Sequence, residues 1–246
     1  MDPYVAFYEM NAWDHVMAGI ICILAPILAY TSRKISTEDI QLEPEDKIRL
    51  YHSNGLLLMV FALVVITTWR IPGRPITGLG IDWPVWHPLI PLLLIIIFLF
   101  YAMDIFFQYG SRKKRERTLE KRQKTIGFVP SDSKELFHFL FLALAAGIGE
   151  EIIFRGYLIH YLVFWTGTDL VGIALAAVVA SGLFAFLHGY QGALSMLKIF
   201  FIALLLSAVF ILSQSLMLVI LAHAVIDIMS GLVSVHLMKD IKEESE

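Results

Sequence analysis

The chain has 246 residues, of which 58% are hydrophobic and 17% are charged, and its mean hydropathy is +0.72. This composition excludes an ordinary soluble globular domain. The formal net charge of −3 excludes no class of protein, but the distribution of the charges along the chain is informative.

Long apolar runs with few charges recur along the whole chain and predict its secondary structure. Each run has roughly 17 to 30 residues, which suffices to cross a hydrocarbon layer about 30 Å thick. We therefore predict an all-α fold, a polytopic transmembrane helix bundle of about seven spans. The first span should remain in the mature protein, because its flank is acidic and lacks a signal-peptide cleavage site. The predicted spans cover residues 13–31, 50–69, 87–103, 136–165, 170–187, 193–212 and 215–238.

The Lys and Arg residues between the spans predict the orientation of the chain. They concentrate in the first connection, in the third connection with its segment "SRKKRERTLEKRQK", and in the C-terminal tail. The second connection contains only Arg70 and Arg74. Because cytoplasmic loops are enriched in Lys and Arg, we expect the N-terminus outside and the C-terminus in the cytoplasm.

The same charges divide the chain into three parts. Residues 1–110 form an N-terminal three-span region, residues 111–135 a basic cytoplasmic connection, and residues 136–246 a four-span core with a short tail. We interpret the basic connection as an orientation signal at the lipid surface. The sequence has no zinc-finger, phosphate-loop or dinucleotide motif, so we expect membrane lipid and no nucleic acid as a partner.

The fourth predicted span contains charges that a lipid-spanning helix should not carry. Glu150, Glu151 and Arg155 lie at and just after its middle, and each charge near the bilayer centre costs roughly 2.5 to 3.5 kcal/mol on insertion scales. Glu151 and Arg155 are four residues apart with the acid first, which is the favourable order for an ion pair within a helix. Glu150 is adjacent to Glu151 and therefore lies on a different face of the helix. It needs a partner from another helix or a hydrated cavity.

The later spans supply candidate partners for Glu150. His188 closes the fifth span, and His223 lies four residues before Asp227 in the seventh. These groups could form a hydrolytic site, with a base for water and donors for an oxyanion, or a zinc site with an open position. Three other histidines have no motif around them and are interpreted as packing residues: His138, His160 and His236.

Three short motifs resemble those of one family of membrane proteases. They read "EEIIFR" at 150–155, "FAFLH" at 184–188 and "HAVID" at 223–227. In order and spacing they are similar to the motifs of the CPBP family, the CAAX protease and bacteriocin-processing family that is also called Abi. The resemblance covers residues 136–237. It implies that residues 136–246 are a catalytic core.

The resemblance implies a role for each matching residue. Glu150 would be the general base for the attacking water with help from His188, while His223 and Asp227 would stabilise the oxyanion. Relatives that process prenylated proteins usually have Asn at the last position; an ionised Asp227 cannot donate a hydrogen bond and would repel an oxyanion. Supporting roles would fall to Glu151, Arg155 and Phe184.

The family resemblance implies more than one possible cofactor and a broad class of substrates. The family has been described both as glutamate-dependent and as zinc-dependent, and Zn²⁺ could be held by Glu150, His188 and His223. The implied substrate is a peptide or membrane protein, and the implied location is the plasma membrane of a prokaryote. The alternatives are a non-catalytic scaffold or immunity protein of the same fold, and an ion-coupled transporter.

Overall fold

The computed structural model describes residues 5–35, 42–109, 111, 114 and 129–245, and these residues form helices and no strand. Two of the helices are interrupted by π-helical turns, Ile20–Leu24 after α1 and Ile152–Leu158 after α5. The α-helices are α1 (Ala12–Gly19), α2 (Ala25–Ile35), α3 (Pro44–Arg70), α4 (Leu89–Tyr109), α5 (Ser133–Glu151), α6 (Ile159–Thr166), α7 (Leu170–Leu187), α8 (Ala193–Ser213) and α9 (Leu216–Ser245).

Seven helical segments in the described part of the chain are long and apolar enough to cross a membrane. The predicted all-α membrane bundle is therefore confirmed. The segments are Ala12–Thr31, Pro44–Arg70, Leu89–Phe107, Ser133–Thr166, Leu170–Leu187, Ala193–Ser213 and Leu216–Lys239. The second begins earlier than predicted, because α3 starts with a polar turn that has Pro at its first position.

Most of the basic connection lies outside the described residues. The division of the chain into three parts and the orientation of its termini therefore remain predictions.

The fourth segment, Ser133–Thr166, is the central helix of the bundle. Half of its most apolar window is buried, a larger share than in any other segment found. Glycines let neighbouring backbones approach it: a Cβ added to Gly147 would lie 3.1 Å from the Ala224 backbone nitrogen, and one on Gly149 would lie 3.1 Å from the Leu58 oxygen. Small residues of this kind commonly mediate close helix packing in membranes.

The connection between α3 and α4 packs into the bundle rather than lying over it. Leu79 is fully buried, and the Gly80 carbonyl accepts a hydrogen bond of 2.7 Å from the Leu216 backbone nitrogen. The Ser215 hydroxyl donates to the Asp82 carbonyl at 2.6 Å. These bonds fix the point at which α9 begins and thus the position of the side chains one and two turns later.

A buried ion pair anchors the same connection to the first helix. Arg74 donates to Asp14 at 2.9 Å and to the Glu9 carbonyl at 2.7 Å, and both charged side chains are nearly fully buried. The Tyr157 hydroxyl donates to the Asp14 carbonyl at 2.9 Å. The network joins the N-terminal region, the α3 to α4 connection and the π-helical turn of the central helix.

Replacing Gly156 with alanine should lower the stability of this junction. The new Cβ would lie 2.8 Å from the carbonyl oxygen of Leu79, and backbone atoms cannot move aside as a flexible side chain can. We expect a loss of about 1–3 kcal/mol in unfolding free energy, as is usual for overpacking. Thermal unfolding in detergent measures it.

Gly19→Ala is the matched control, because a Cβ there meets no atom within 4 Å. The proposed close packing would be contradicted if both alanine variants unfolded at the wild-type temperature.

Candidate active site

The four predicted catalytic residues come from three parts of the bundle. Glu150 lies near the end of α5, His188 directly follows α7, and His223 and Asp227 lie one turn apart on α9. The α5 and α9 helices pack against each other, since Gly147 leaves room for the Ala224 backbone. The side chains of Glu150, His223 and Asp227 thereby meet in one polar cluster.

The imidazole of His223 is the centre of this cluster. Its Nδ1 lies 2.7 Å from Glu151 Oε1, which is a strong hydrogen bond to a carboxylate. Its Nε2 lies 3.7 Å from Glu150 Oε2 and 3.6 Å from Asp227 Oδ2. The short bond assigns a proton to Nδ1, so the ring is oriented by Glu151 and presents Nε2 to the other two carboxylates.

The predicted ion pair of Glu151 and Arg155 is present. Arg155 Nη1 donates to Glu151 Oε1 at 2.8 Å, and Nη2 donates to the Ala203 carbonyl on α8 at 3.2 Å. The same Glu151 oxygen also binds His223. In the part of the chain that the structure describes, the other oxygen, Oε2, is buried without a hydrogen-bond partner.

Phe184 packs between the charged groups and both imidazoles. The Arg155 guanidinium lies 4.7 Å from its ring centroid, a cation–π contact. The ring centroids of His188 and His223 lie 4.6 Å and 6.0 Å away. Phe184 therefore sets the spacing of these three side chains, which suits the supporting position that the motif implied for it.

His188 is oriented by its own helix. Its Nδ1 donates to the Phe184 carbonyl at 2.9 Å, which leaves Nε2 as a hydrogen-bond acceptor. Among the described residues, His188 has no hydrogen bond to Glu150 or His223. It does interact electrostatically with Asp227. The structure thus places His188 at the edge of the cluster, against the Phe184 ring.

Sequence reasoning missed Tyr190, which lies in the short helical turn after His188. The two rings stack with their centroids 6.2 Å apart, and the Gln191 side-chain amide donates to the Tyr190 hydroxyl at 3.2 Å. Burial is the largest cause that raises the pKa of Tyr190 to about 12; the Gln191 hydrogen bond lowers this pKa, and the negative charges of Glu150 and Asp227 raise it. A polar aromatic residue two positions after a motif histidine was the signal available in the sequence.

The remaining histidines named in the sequence analysis lie apart from this cluster. His138 pairs with His52 at 3.0 Å, and His160 donates to the Gly156 carbonyl at 2.6 Å among aromatic rings. These contacts fit the packing role predicted for them. His236 is more than three helical turns beyond His223 on α9.

The described residues do not form an evident metal site. No group of three or more His, Cys, Asp or Glu residues among them is arranged to hold a metal ion. His223 already has both nitrogens directed at carboxylates. The ligand set Glu150, His188 and His223 therefore stays a hypothesis for metal analysis, and no chemical step below depends on it.

Comparison with known families adds an independent observation about this part of the chain. Residues 132–229 match a family model described as type II CAAX prenyl endopeptidase Rce1-like. This segment is similar to that family. The resemblance to the CPBP family is thus confirmed for the segment that contains Glu150, His188, His223 and Asp227. No curated protein and no solved structure matches the chain.

The Rce1-like match and the seven segments agree on the class of the protein. The segments support an integral membrane protein, and the match supports a CAAX-type intramembrane protease. The match begins just before α5 and ends two residues after Asp227, so it contains all four predicted catalytic residues.

Proposed function

We propose that the protein is an intramembrane endopeptidase that hydrolyses a peptide bond of a membrane-associated protein or peptide. One observation carries the proposal: His223 is held at 2.7 Å by Glu151 with its other nitrogen 3.7 Å from Glu150, inside a segment apolar enough to span a membrane. Placing carboxylates and imidazoles inside a membrane costs free energy, so their presence there favours a chemical role.

The difference in exposure between the two glutamates supports Glu150 as the base. The Glu150 side chain is 16% exposed, whereas that of Glu151 is fully buried and bound to Arg155 and His223. A general base must reach the proton of the water that it activates. Glu150 is therefore the base, and Glu151 is a positioning residue for His223.

Hydrolysis proceeds by attack of water on the peptide carbonyl. Glu150 accepts one proton while the water oxygen bonds to the carbonyl carbon, and the electron pair of the C=O bond moves to its oxygen. When this pair returns, the C–N bond breaks and Glu150 transfers the proton to the departing amine. The products are a carboxylic acid and an amine, which at neutral pH become a carboxylate and an ammonium by transfer of the acid proton, and the base is regenerated.

The imidazoles assist this step from two sides. His188 presents its unprotonated Nε2, which can accept a hydrogen bond from the attacking water. His223 is oriented by Glu151, and its Nε2 can donate to the oxyanion when the ring is protonated. Asp227 lies 3.6 Å from the same Nε2 and helps orient it; its carboxylate acts on the imidazole and not on the oxyanion.

The family description guides the first choice of substrate. A CAAX peptide has a prenylated cysteine followed by three residues, and its lipid would hold it at the membrane. We propose that the substrate is anchored in lipid, and we would compare a farnesylated CAAX peptide with the same peptide lacking the lipid. The decisive variant is Glu150→Gln, which should abolish cleavage without loss of folding.

We also propose that the N-terminus is outside and that the α7 to α8 turn with His188 and Tyr190 faces the cytoplasm. In a Cys22→Ser background, Trp83→Cys should be labelled in intact cells by a membrane-impermeant maleimide, because Trp83 is 79% exposed in the second connection. Lys239→Cys should be labelled only after lysis. Labelling with the opposite pattern would contradict this orientation.

A further inference from the structure

We propose that Asp227 selects the substrate by charge: the enzyme prefers peptides that carry a Lys or Arg within two residues of the scissile bond. This inference rests on the proposed function, since it names the class of peptide that the same site binds.

Asp227 is the most exposed group of the polar cluster. The Glu151 side chain is fully buried, those of His223 and Glu150 are 11% and 16% exposed, and that of Asp227 is 32% exposed. Asp227 lies one turn beyond His223 on α9. A substrate that reaches the imidazole therefore passes beside the Asp227 carboxylate.

Asp227 also has acceptor capacity left for a ligand. Its Oδ2 lies 3.6 Å from His223 Nε2, an ionic contact that is longer than a hydrogen bond. Within the part of the chain that the structure describes, its carboxylate accepts no hydrogen bond and pairs with no Lys or Arg. An ionised carboxylate can accept several hydrogen bonds. A cationic side chain of the substrate would supply the donors that the described residues do not.

The nearby cations are engaged by other acids. Arg155 is 1% exposed and pairs with Glu151, and Lys198 on α8 pairs with Asp104. The cluster has three carboxylates around the one imidazole of His223. Even with this imidazole protonated, the two positive charges of the ring and of Arg155 leave the cluster with a net negative charge.

A negatively charged site discriminates between peptides by the sign of their side chains. A peptide is the ligand expected there on separate grounds, because residues 132–229 match a family of endopeptidases. Consecutive residues of an extended peptide lie about 3.5 Å apart, so a long side chain near the scissile bond can reach Asp227. An acidic side chain at the same position is repelled, because juxtaposed like charges cost free energy.

The test is a series of peptides that differ only by Lys, norleucine or Glu within two residues of the scissile bond. The parent peptide is whichever of the matched farnesylated and unmodified pair the wild-type protein cleaves, and a farnesylated cysteine is left unchanged. We expect kcat/KM to fall in the order Lys, norleucine, Glu at one or more positions, with Lys at least about 10-fold above Glu. Norleucine has the length of Lys without its charge, so it separates charge from size.

The variant is Asp227→Asn, which keeps the size of the side chain and removes its charge. It should lower the ratio of kcat/KM for Lys over Glu by about 5-fold, and Glu150 would retain the rest of the preference. A role confined to packing or to orienting His223 would instead change kcat/KM for both peptides by the same factor.

Asp82→Asn is the matched control. The Asp82 carbonyl binds Ser215 at the start of α9, more than three helical turns from Asp227, so the ratio should stay at the wild-type value.

Two results would overturn the inference: equal cleavage of the Lys and norleucine peptides at every position by the wild-type protein, and an unchanged ratio in Asp227→Asn. If Asp227→Asn cleaves neither peptide, the wild-type preference is measured from about 0.05 to 0.5 M NaCl, where salt screens charges. A preference that declines supports the inference, and one that persists unchanged overturns it. With Glu150→Gln inactive, each overturning result leaves the proposed function standing; if Glu150→Gln cleaves normally, the proposed function itself fails, and the inference with it.

Discussion

Glu150→Gln is expected to lower kcat for peptide cleavage by about 10²–10⁴-fold, the usual contribution of a general base. Glutamine has nearly the same size, so the packing around the cluster should persist, but its neutral amide cannot accept the proton of the attacking water. The measurement uses purified protein in liposomes with the farnesylated and unmodified peptides, and mass spectrometry identifies the fragments.

The control for this variant is Glu45→Gln, which removes the same charge from the exposed first turn of α3. It should cleave at the wild-type rate. Full cellular activity of Glu150→Gln would instead favour the scaffold or immunity alternative.

Metal analysis of the same wild-type preparation, with and without a chelator, tests the zinc hypothesis by the amount of metal bound and by the activity that remains.

Glu151→Ala is expected to lower the unfolding free energy by about 3–5 kcal/mol, because it leaves a buried cation without its partner. Arg155 is 1% exposed, and Glu151 supplies the carboxylate oxygen that it binds at 2.8 Å. Cleavage should also be lost, since His223 loses the 2.7 Å hydrogen bond that orients it. Denaturant unfolding in detergent micelles measures the first effect.

A second substitution separates stability from catalysis. Arg155→Met in the Glu151→Ala protein removes the unpaired charge and fills its space with an apolar side chain, which commonly restores stability. We expect the double variant to unfold near the wild-type midpoint and still to cleave poorly, because His223 remains unsupported. A double variant that is both stable and fully active would contradict the positioning role of Glu151.

Several features of the fold were predictable from local sequence. The predicted span at residues 170–187 has the same bounds as α7. Asp169 and His188 flank this uncharged run, so the sequence itself marks where the helix begins and ends. The ion pair of Glu151 and Arg155 followed from their spacing on one helix. The order of the three motifs likewise indicated which helices had to meet.

Other features depend on contacts between distant parts of the chain. The π-helical turn directly after Glu151 has no composition that marks it, yet it directs Arg155 toward both Glu151 and α8. The buried pairing of Asp14 with Arg74 joins segments 60 residues apart. Neither could be found from periodicity, which reports only on the face of a single helix.

The sequence by itself determined the seven apolar segments and the acids and imidazoles of the site, because span length and charge spacing are local properties. The tertiary structure decided that His223 binds Glu151 while its far nitrogen faces Glu150, and that the Tyr190 ring stacks on His188. The reason is physical: partners in a membrane interior are selected by how helices pack, and glycines such as Gly147 set that packing at distances the sequence does not encode locally.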